Sequence, residues 1–162
     1  MPWYALYTKP RHEKKVNQLL LEKKQEVYLP MIDRVSQWKD RKKTVSEPLF
    51  KSYIFGNFKY KYRFDVLQTD GVVKIVNFHG EPAVVPDWQI ESLKKMLQYP
   101  AAGLRLENYI RTGELAEVIA GPLAGMKGTV LRRKGINRLV LTIDGIMQSV
   151  SVEIDEGNLR KV

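Results

Sequence analysis

Val45-Ser46-Glu47-Pro48-Leu49-Phe50-Lys51-Ser52-Tyr53-Ile54-Phe55-Gly56-Asn57-Phe58 is the stretch on which the reading of this chain turns. Pro48 opens a run dense in aromatic and β-branched residues, which predicts a central strand entered through a sharp corner. Side chains alternate along a strand, so Tyr53, Phe55 and Asn57 share one face and Ile54, Gly56 and Phe58 the other. Phe50 joins the Tyr53 face only if the corner inserts a kink. Large apolar groups on both faces leave two readings open: a strand buried on both sides, or one face on a core and the other presenting aromatic surface.

Upstream, residues 3–8 predict a strand with Trp3, Ala5 and Tyr7 on one face and Tyr4, Leu6 and Thr8 on the other. Pro10 suits the first turn of a helix over residues 11–25. In that helix Val16, Leu19, Leu20 and Lys23 form the inward stripe, the Lys23 stem snorkelling. Arg11, Lys14 and Gln18 point away from the stripe and Lys15 lies on its flank. His12 falls at the core edge, where a packing role outweighs that of ligand or catalyst. Val27–Met31 predicts a second strand, and residues 32–46 a polar hairpin tipped near Asp40-Arg41. Its Arg41, Lys42 and Lys43 lie close to Trp38, an arrangement suited to phosphate contact plus base stacking, or simply to keeping an exposed loop soluble.

Downstream, Phe64–Gln68 predicts a short helix stopped by Asp70-Gly71, and Val72–Phe78 a fourth strand with Val72, Lys74, Val76 and Phe78 on one face. A loop punctuated by Gly80 and Pro86 leads to a helix over Asp87–Gln98 with Ile90, Leu93 and Leu97 inward. Residues 99–108 have no clear period and predict a linker. Beyond it lie seven of the eleven glycines, interrupting short apolar runs. Five short strands with turns at that spacing predict a small closed barrel.

The chain has 162 residues, 44% hydrophobic, and no cysteine, which removes disulfides, thiolate metal sites and a cysteine nucleophile. Two histidines, His12 and His79, do not suggest a metal site, and no cofactor motif is present. No apolar run approaches the ~20 residues that span a bilayer, and no secretory signal is evident, so the expectation is a cytoplasmic protein. No Walker loop, nucleophile elbow or HExxH is present, which makes this a binding protein rather than an enzyme. The net charge of +9 is uneven: residues 1–63 hold 15 Lys+Arg against 6 Asp+Glu, while residues 64–162 hold 12 of each. One polyanion-facing surface on a near-neutral remainder follows, or a solvated basic face with no partner.

Trp3-Tyr4, Tyr28-Leu29-Pro30-Met31, the basic hairpin, the Pro48–Phe55 strand and Gly121-Pro122-Leu123-Ala124-Gly125-Met126-Lys127-Gly128, in this order, resemble the NusG family of transcription elongation factors. Within it they resemble the specialised antiterminator branch, the RfaH, UpxY and LoaP type. The resemblance implies an α+β chain. Residues 1–98 would be an N-terminal NGN domain, an antiparallel four-stranded sheet flanked by helices. Residues 99–108 would be the linker, and 109–162 a small SH3-like KOW β-barrel whose turn holds Gly121, Pro122, Gly125 and Gly128.

It also implies partners. Tyr7, Phe50, Tyr53, Phe55 and Phe78 would receive the clamp helices of the RNA polymerase β′ subunit, and Arg63, Phe64 and Asp65 the β-subunit gate loop. Non-template DNA would pass Lys9, Arg11, His12, Lys14, Lys15 and Gln18, with Lys42 and Lys43 on the hairpin. The KOW domain would recruit a small-subunit ribosomal protein, and the chain would act as a monomer, suppressing pausing and termination. Asp144-Gly145 stands where housekeeping relatives carry Phe-Gly, which favours the specialised branch and puts contact with the ribosomal protein and with Rho in doubt. A housekeeping NusG and a ribosomal-type KOW RNA-binding protein remain the alternatives.

Overall fold

The computed structural model describes residues 1–99, 103–110 and 113–162. The fold is mixed α/β, mostly strands with few helices, in two compact units, Met1–Val84 and Val85–Val162. The first begins with β1 (Trp3–Thr8), α1 (Glu13–Glu22), β2 (Glu26–Tyr28) and a hairpin of β3 (Met31–Trp38) and β4 (Arg41–Pro48). It continues with β5 (Tyr53–Asn57), α2 (Arg63–Leu67), β6 (Val72–Ile75), β7 (Asn77–Phe78), β8 (Glu81–Pro82) and β9 (Val84–Val85). Helix α1 starts at Glu13 rather than at residue 11, because Arg11 sits at φ 62°, in the left-handed region that a right-handed helix does not enter.

The central sheet runs β2-β5-β1-β6, with β9 also on β1. Leu6 of β1 faces Ile54 of β5 and Tyr7 faces Tyr53. One face carries Tyr4, Leu6 and Ile54 against Val16 and Leu20 of α1 and Val66 of α2, closed by Phe58 and Ile75. Burying each such side chain contributes about 1.5–3 kcal/mol, so this cluster fixes the register of α1 on the sheet.

The other face is buried too. Trp3, Ala5 and Phe55 are enclosed, as is Phe50, whose ring meets Phe55 edge to face at 6.3 Å. The two-sided buried reading therefore holds over the middle of the sheet. The strand also starts later than expected. Pro48 closes β4 opposite Met31, and the chain turns through Leu49–Ser52, with Leu49 N donating to Pro30 O (2.9 Å) and Ser52 at φ 69°. Phe50 thus belongs to a turn, and the strand begins at Tyr53.

The expected fourth strand is split. Val76 N donates to Ala5 O (2.8 Å), and Asn77–Phe78 then pairs with Glu81–Pro82 around His79 and Gly80, both at positive φ. The hairpin of β3 and β4 is a separate two-stranded sheet with Lys39-Asp40 at its tip.

The second unit comprises α3 (Asp87–Gln98), β10 (Arg105–Glu107), β11 (Glu114–Val118), β12 (Lys127–Arg133), β13 (Ile136–Ile143), β14 (Gln148–Glu153) and β15 (Leu159–Lys161). Helix α3 has the expected bounds, with Ile90, Leu93 and Met96 fully buried and Leu97 only half so. Gln89 Nε2 donates to Thr142 O (3.1 Å) and Lys95 Nζ to Ala124 O (2.7 Å). The strands form one ladder, β10-β14-β13-β12-β11-β15.

The strand beyond the five expected is β10, from residues read as linker; residues 100–102 of that linker lie outside the described residues. Buried Arg138 explains it, donating from Nε to Ser151 Oγ (2.8 Å) and from Nη2 to Gly103 O, with Glu107 Oε1 3.8 Å from Nε. A charge taken out of water needs such partners, and these draw residues 103–107 onto β14. Between β11 and β12, Gly121 (φ 83°) and Gly125 (φ 92°) make the turn, with Gly125 N donating to Val118 O (2.8 Å). A Cβ on Gly128 would stand 2.6 Å from Val140 O, so only glycine fits there.

Candidate functional site

At one end of the central sheet the aromatic face comes partly into the open. Tyr7 and Tyr53, opposed on β1 and β5, meet edge to face at 5.5 Å, and Lys74, opposite Tyr7 on β6, sits 6.0 Å over the Tyr7 ring. Both tyrosines are half-buried. Burial, and then the neighbouring Tyr7 hydroxyl, push the Tyr53 phenol above its ordinary value, so it remains a neutral hydrogen-bonding group. Of the five aromatic residues expected to present rings, Phe50 and Phe55 are fully enclosed and pack on each other rather than facing outward. Phe78 is half-buried, and its ring packs on His79 at 4.2 Å, on the separate β7–β8 hairpin.

The expected nucleic-acid residues divide by what already engages them. Lys9 and Arg11 are exposed on the turn before α1. His12 is half-buried, its Nδ1 2.8 Å from Pro10 O, which fits the packing role. Lys14 Nζ donates to Ser46 O (3.0 Å), tying α1 to the base of the hairpin, and Gln18 Nε2 donates to Glu22 Oε1 (3.3 Å). Lys15 pairs with Asp70 at 2.6 Å. The hydrogen bond from Lys15, its charge, and then Lys9 and His12 hold the Asp70 carboxyl below the usual carboxylate range.

A cleft of about 490 Å³ opens where α1 meets the hairpin, lined by Arg11, Lys14 and Lys51 against Glu13 and Glu47, with Ser52 in its wall. Glu13 is buried and accepts a hydrogen bond from Ser52 N (2.9 Å), which holds the 49–52 turn. Sequence reasoning passed over both Lys51 and Glu13. A lone lysine after the hairpin carries no periodic signal, and a helical glutamate reads as solvent-facing until the turn folds against it.

On the hairpin, register puts Trp38 opposite Arg41 and Gln37 opposite Lys42, so Lys42 and Lys43 point to opposite faces. Lys43 lies over the Trp38 ring at 4.8 Å, and Arg34 and Arg41 share that face by alternation. The reading of Trp38 beside a basic cluster gains geometry here, with Lys43 rather than Lys42 on the aromatic side.

Of the residues expected at a gate loop, the Arg63 guanidinium lies between two rings, 4.4 Å from Tyr60 and 4.5 Å from Phe64, while Phe64 and Asp65 are exposed. In the second unit, a groove of about 880 Å³ is lined by Tyr99, Pro122, Ile136, Glu153, Asp155 and Glu156 among others, an acidic counterpart that the sequence did not reveal. Among the described residues no group of three or more His, Asp or Glu side chains is placed to hold a metal, and no helix is long and apolar enough to cross a membrane.

These features define a basic sheet-and-helix unit followed by a smaller ladder of strands. The family described as NusG, transcription termination factor nusG, matches residues 1–94. The chain belongs to the NusG family of transcription factors, whose members are not enzymes. It is also similar to a solved structure from Thermotoga maritima, described as domain interaction in NusG, at 18% identity over 99% of this chain and 97% of that one, with a TM-score of 0.48. A second similar structure is the MjSpt4:Spt5 complex, conformation A, at 17% identity over 99% and 97%, with a TM-score of 0.35.

Proposed function

We propose that this chain is a transcription elongation and antitermination factor of the specialised NusG type. It binds RNA polymerase at the β′ clamp helices through an NGN-type unit that presents Tyr7 and Tyr53. The observation that carries this reading is the tyrosine pair itself: rigid, half-buried rings meeting edge to face, on a chain of the NusG family. Aromatic anchors held this way supply contact area at little further cost in side-chain entropy. Non-template DNA runs along Lys9 on the turn before α1, along Arg11, Lys14 and Lys51 at the cleft, and along the Trp38–Lys43 face of the hairpin. The second unit acts as a KOW domain whose acidic groove takes a basic partner segment.

The test is a binding titration against core RNA polymerase with Tyr7→Ala and Tyr53→Ala, each checked by a circular-dichroism melt. Truncation of a central aromatic anchor typically costs about 2 kcal/mol or more, so each variant should bind roughly 30-fold more weakly while staying folded. Unchanged affinity in both folded variants would remove the clamp assignment.

A further inference from the structure

Lys59-Tyr60-Lys61-Tyr62-Arg63-Phe64 alternates cation and aromatic ring through the turn after β5 and into α2. Its three rings remain substantially open to solvent, Tyr60 at 42%, Tyr62 at 50% and Phe64 at 60% exposure. Such exposure is costly for a surface with no partner, and here it is concentrated in five residues.

The rings are not loosely attached. Phe58 in the core meets Tyr4 at 4.9 Å, Tyr4 meets Tyr60 at 5.8 Å, and the Arg63 guanidinium fills the space between Tyr60 and Phe64. A continuous stack thus runs from the hydrophobic core to the surface, fixed by Arg63 Nη1 donating to Tyr60 O (3.1 Å). Lys61 lies over the Tyr62 ring at 5.1 Å. Lys23 Nζ donates to Asp65 O (2.9 Å) and Thr69 Oγ1 (3.0 Å), anchoring α2 to the end of α1. The side chain of Asp65 is the one carboxylate in residues 59–65, against three cations.

Preformed π-faces carry their own cations here, without a hydrogen-bonding cleft. That is the chemistry that holds unpaired bases: each base stacks on a ring, while lysines and arginine meet the phosphates between them. A duplex offers no base faces to such a surface, and an apolar protein segment would gain nothing from Lys59 and Lys61. We propose that Lys59–Phe64 is a stacking platform for single-stranded nucleic acid, with Tyr62 and Phe64 taking successive bases and Lys59 and Lys61 their phosphates. The platform follows Asn57, which pairs with Trp3, whereas Lys9 and Arg11 follow Thr8 at the other end of the same strand. It is therefore a second site, separate from the cleft and from the clamp-helix reading, and it competes with the gate-loop expectation for Arg63 and Phe64.

The test uses the full chain and fluorescein-labelled 12-residue oligomers of three kinds: thymidylate, uridylate, and an abasic deoxyribose-phosphate strand. Fluorescence anisotropy gives affinity at several salt concentrations, and a melt confirms folding of each variant. The unmutated chain should bind the base-bearing strands at least tenfold more tightly than the abasic one, the DNA and RNA arms showing which sugar is preferred. Tyr62→Ala with Phe64→Ala should abolish that preference and leave abasic binding unchanged. Lys59→Ala with Lys61→Ala should weaken all three and lower the salt slope by about 1.4, the single-strand value for two contacts. Equal binding of abasic and base-bearing strands by the unmutated chain would overturn the proposal. So would a Tyr62→Ala/Phe64→Ala chain that keeps its preference. If that variant instead lost polymerase binding with oligomer binding intact, a protein loop such as the β gate loop would own these rings.

Discussion

At the scale of single residues, the same residue type does different work according to its place in the pleat. Phe55 and Tyr53 are two apart on one strand face, yet Phe55 is enclosed and Tyr53 reaches the open end of the sheet. Sequence alternation gives the face and not the distance from the edge, which is why the five expected aromatic residues separated into two enclosed phenylalanines, two presented tyrosines and Phe78 on another hairpin. Charge pairing is likewise a property of the folded chain. Lys15 and Asp70 meet across 55 residues, and the pair holds the Asp70 carboxyl low. A depressed carboxylate favours the fold above its unfolded pKa of about 3.9, and that contribution is lost as pH falls through the lower folded value. A carbon-detected NMR titration of Asp70 should therefore show a midpoint below the ordinary aspartate range, and Lys15→Ala should move it back toward that range. An unmoved midpoint would assign the depression to Lys9 and His12, the other cationic neighbours in space.

At the scale of elements, most helices and strands were legible in sequence, the five-residue α2 among them, whereas several boundaries and the shortest strands were not. Strand β1 and helix α3 have the bounds their patterns gave, because six alternating residues and a 12-residue amphipathic run leave little choice of partner face. The boundaries that moved did so at local backbone features: Arg11 and Ser52 in left-handed conformation, and the break at Val76. Strand β10 had no sequence signal, since three residues contain less than two periods, and it is placed by Arg138. The basic cleft escaped notice for a related reason, its cations coming from a turn, a helix start and a hairpin base. The hairpin of β3 and β4 invites a direct test. Replacing residues 34–45 by a two-residue Asn-Gly turn should leave the melting temperature within about 3 °C of the parent, because its ladder is separate from the central sheet. Its affinity for DNA scaffolds should fall and depend less on salt. A large loss of stability would show that the hairpin belongs to the core.

At the scale of the whole molecule, helix α3 raises the question of where one unit ends. The family match extends to residue 94, whereas the compact division falls between Val84 and Val85. Side-chain bonds from Gln89 to Thr142 and from Lys95 to Ala124 place α3 with the second unit. We therefore expect a fragment of residues 85–162 to unfold in one cooperative transition, with slow hydrogen exchange at Ile90, Leu93 and Met96. A fragment of residues 103–162 should melt at a lower temperature. Fast exchange through α3 in the longer fragment would return the helix to the N-terminal domain and restore the boundary at residue 98.

The ladders also end in a particular way. Strands β2, β10 and β15 have three residues each and β6 has four, and β15 carries Arg160 and Lys161 paired with Glu117 and Glu114. An outer strand that short offers few unpaired amides and carbonyls, and its charges repel a second copy approaching in register. The central sheet and the ladder of the second unit are thereby guarded against growing edge to edge into fibrils, which leaves the eight-residue strands of the β3–β4 hairpin, studded with lysine and arginine, as the long open edges among the described residues.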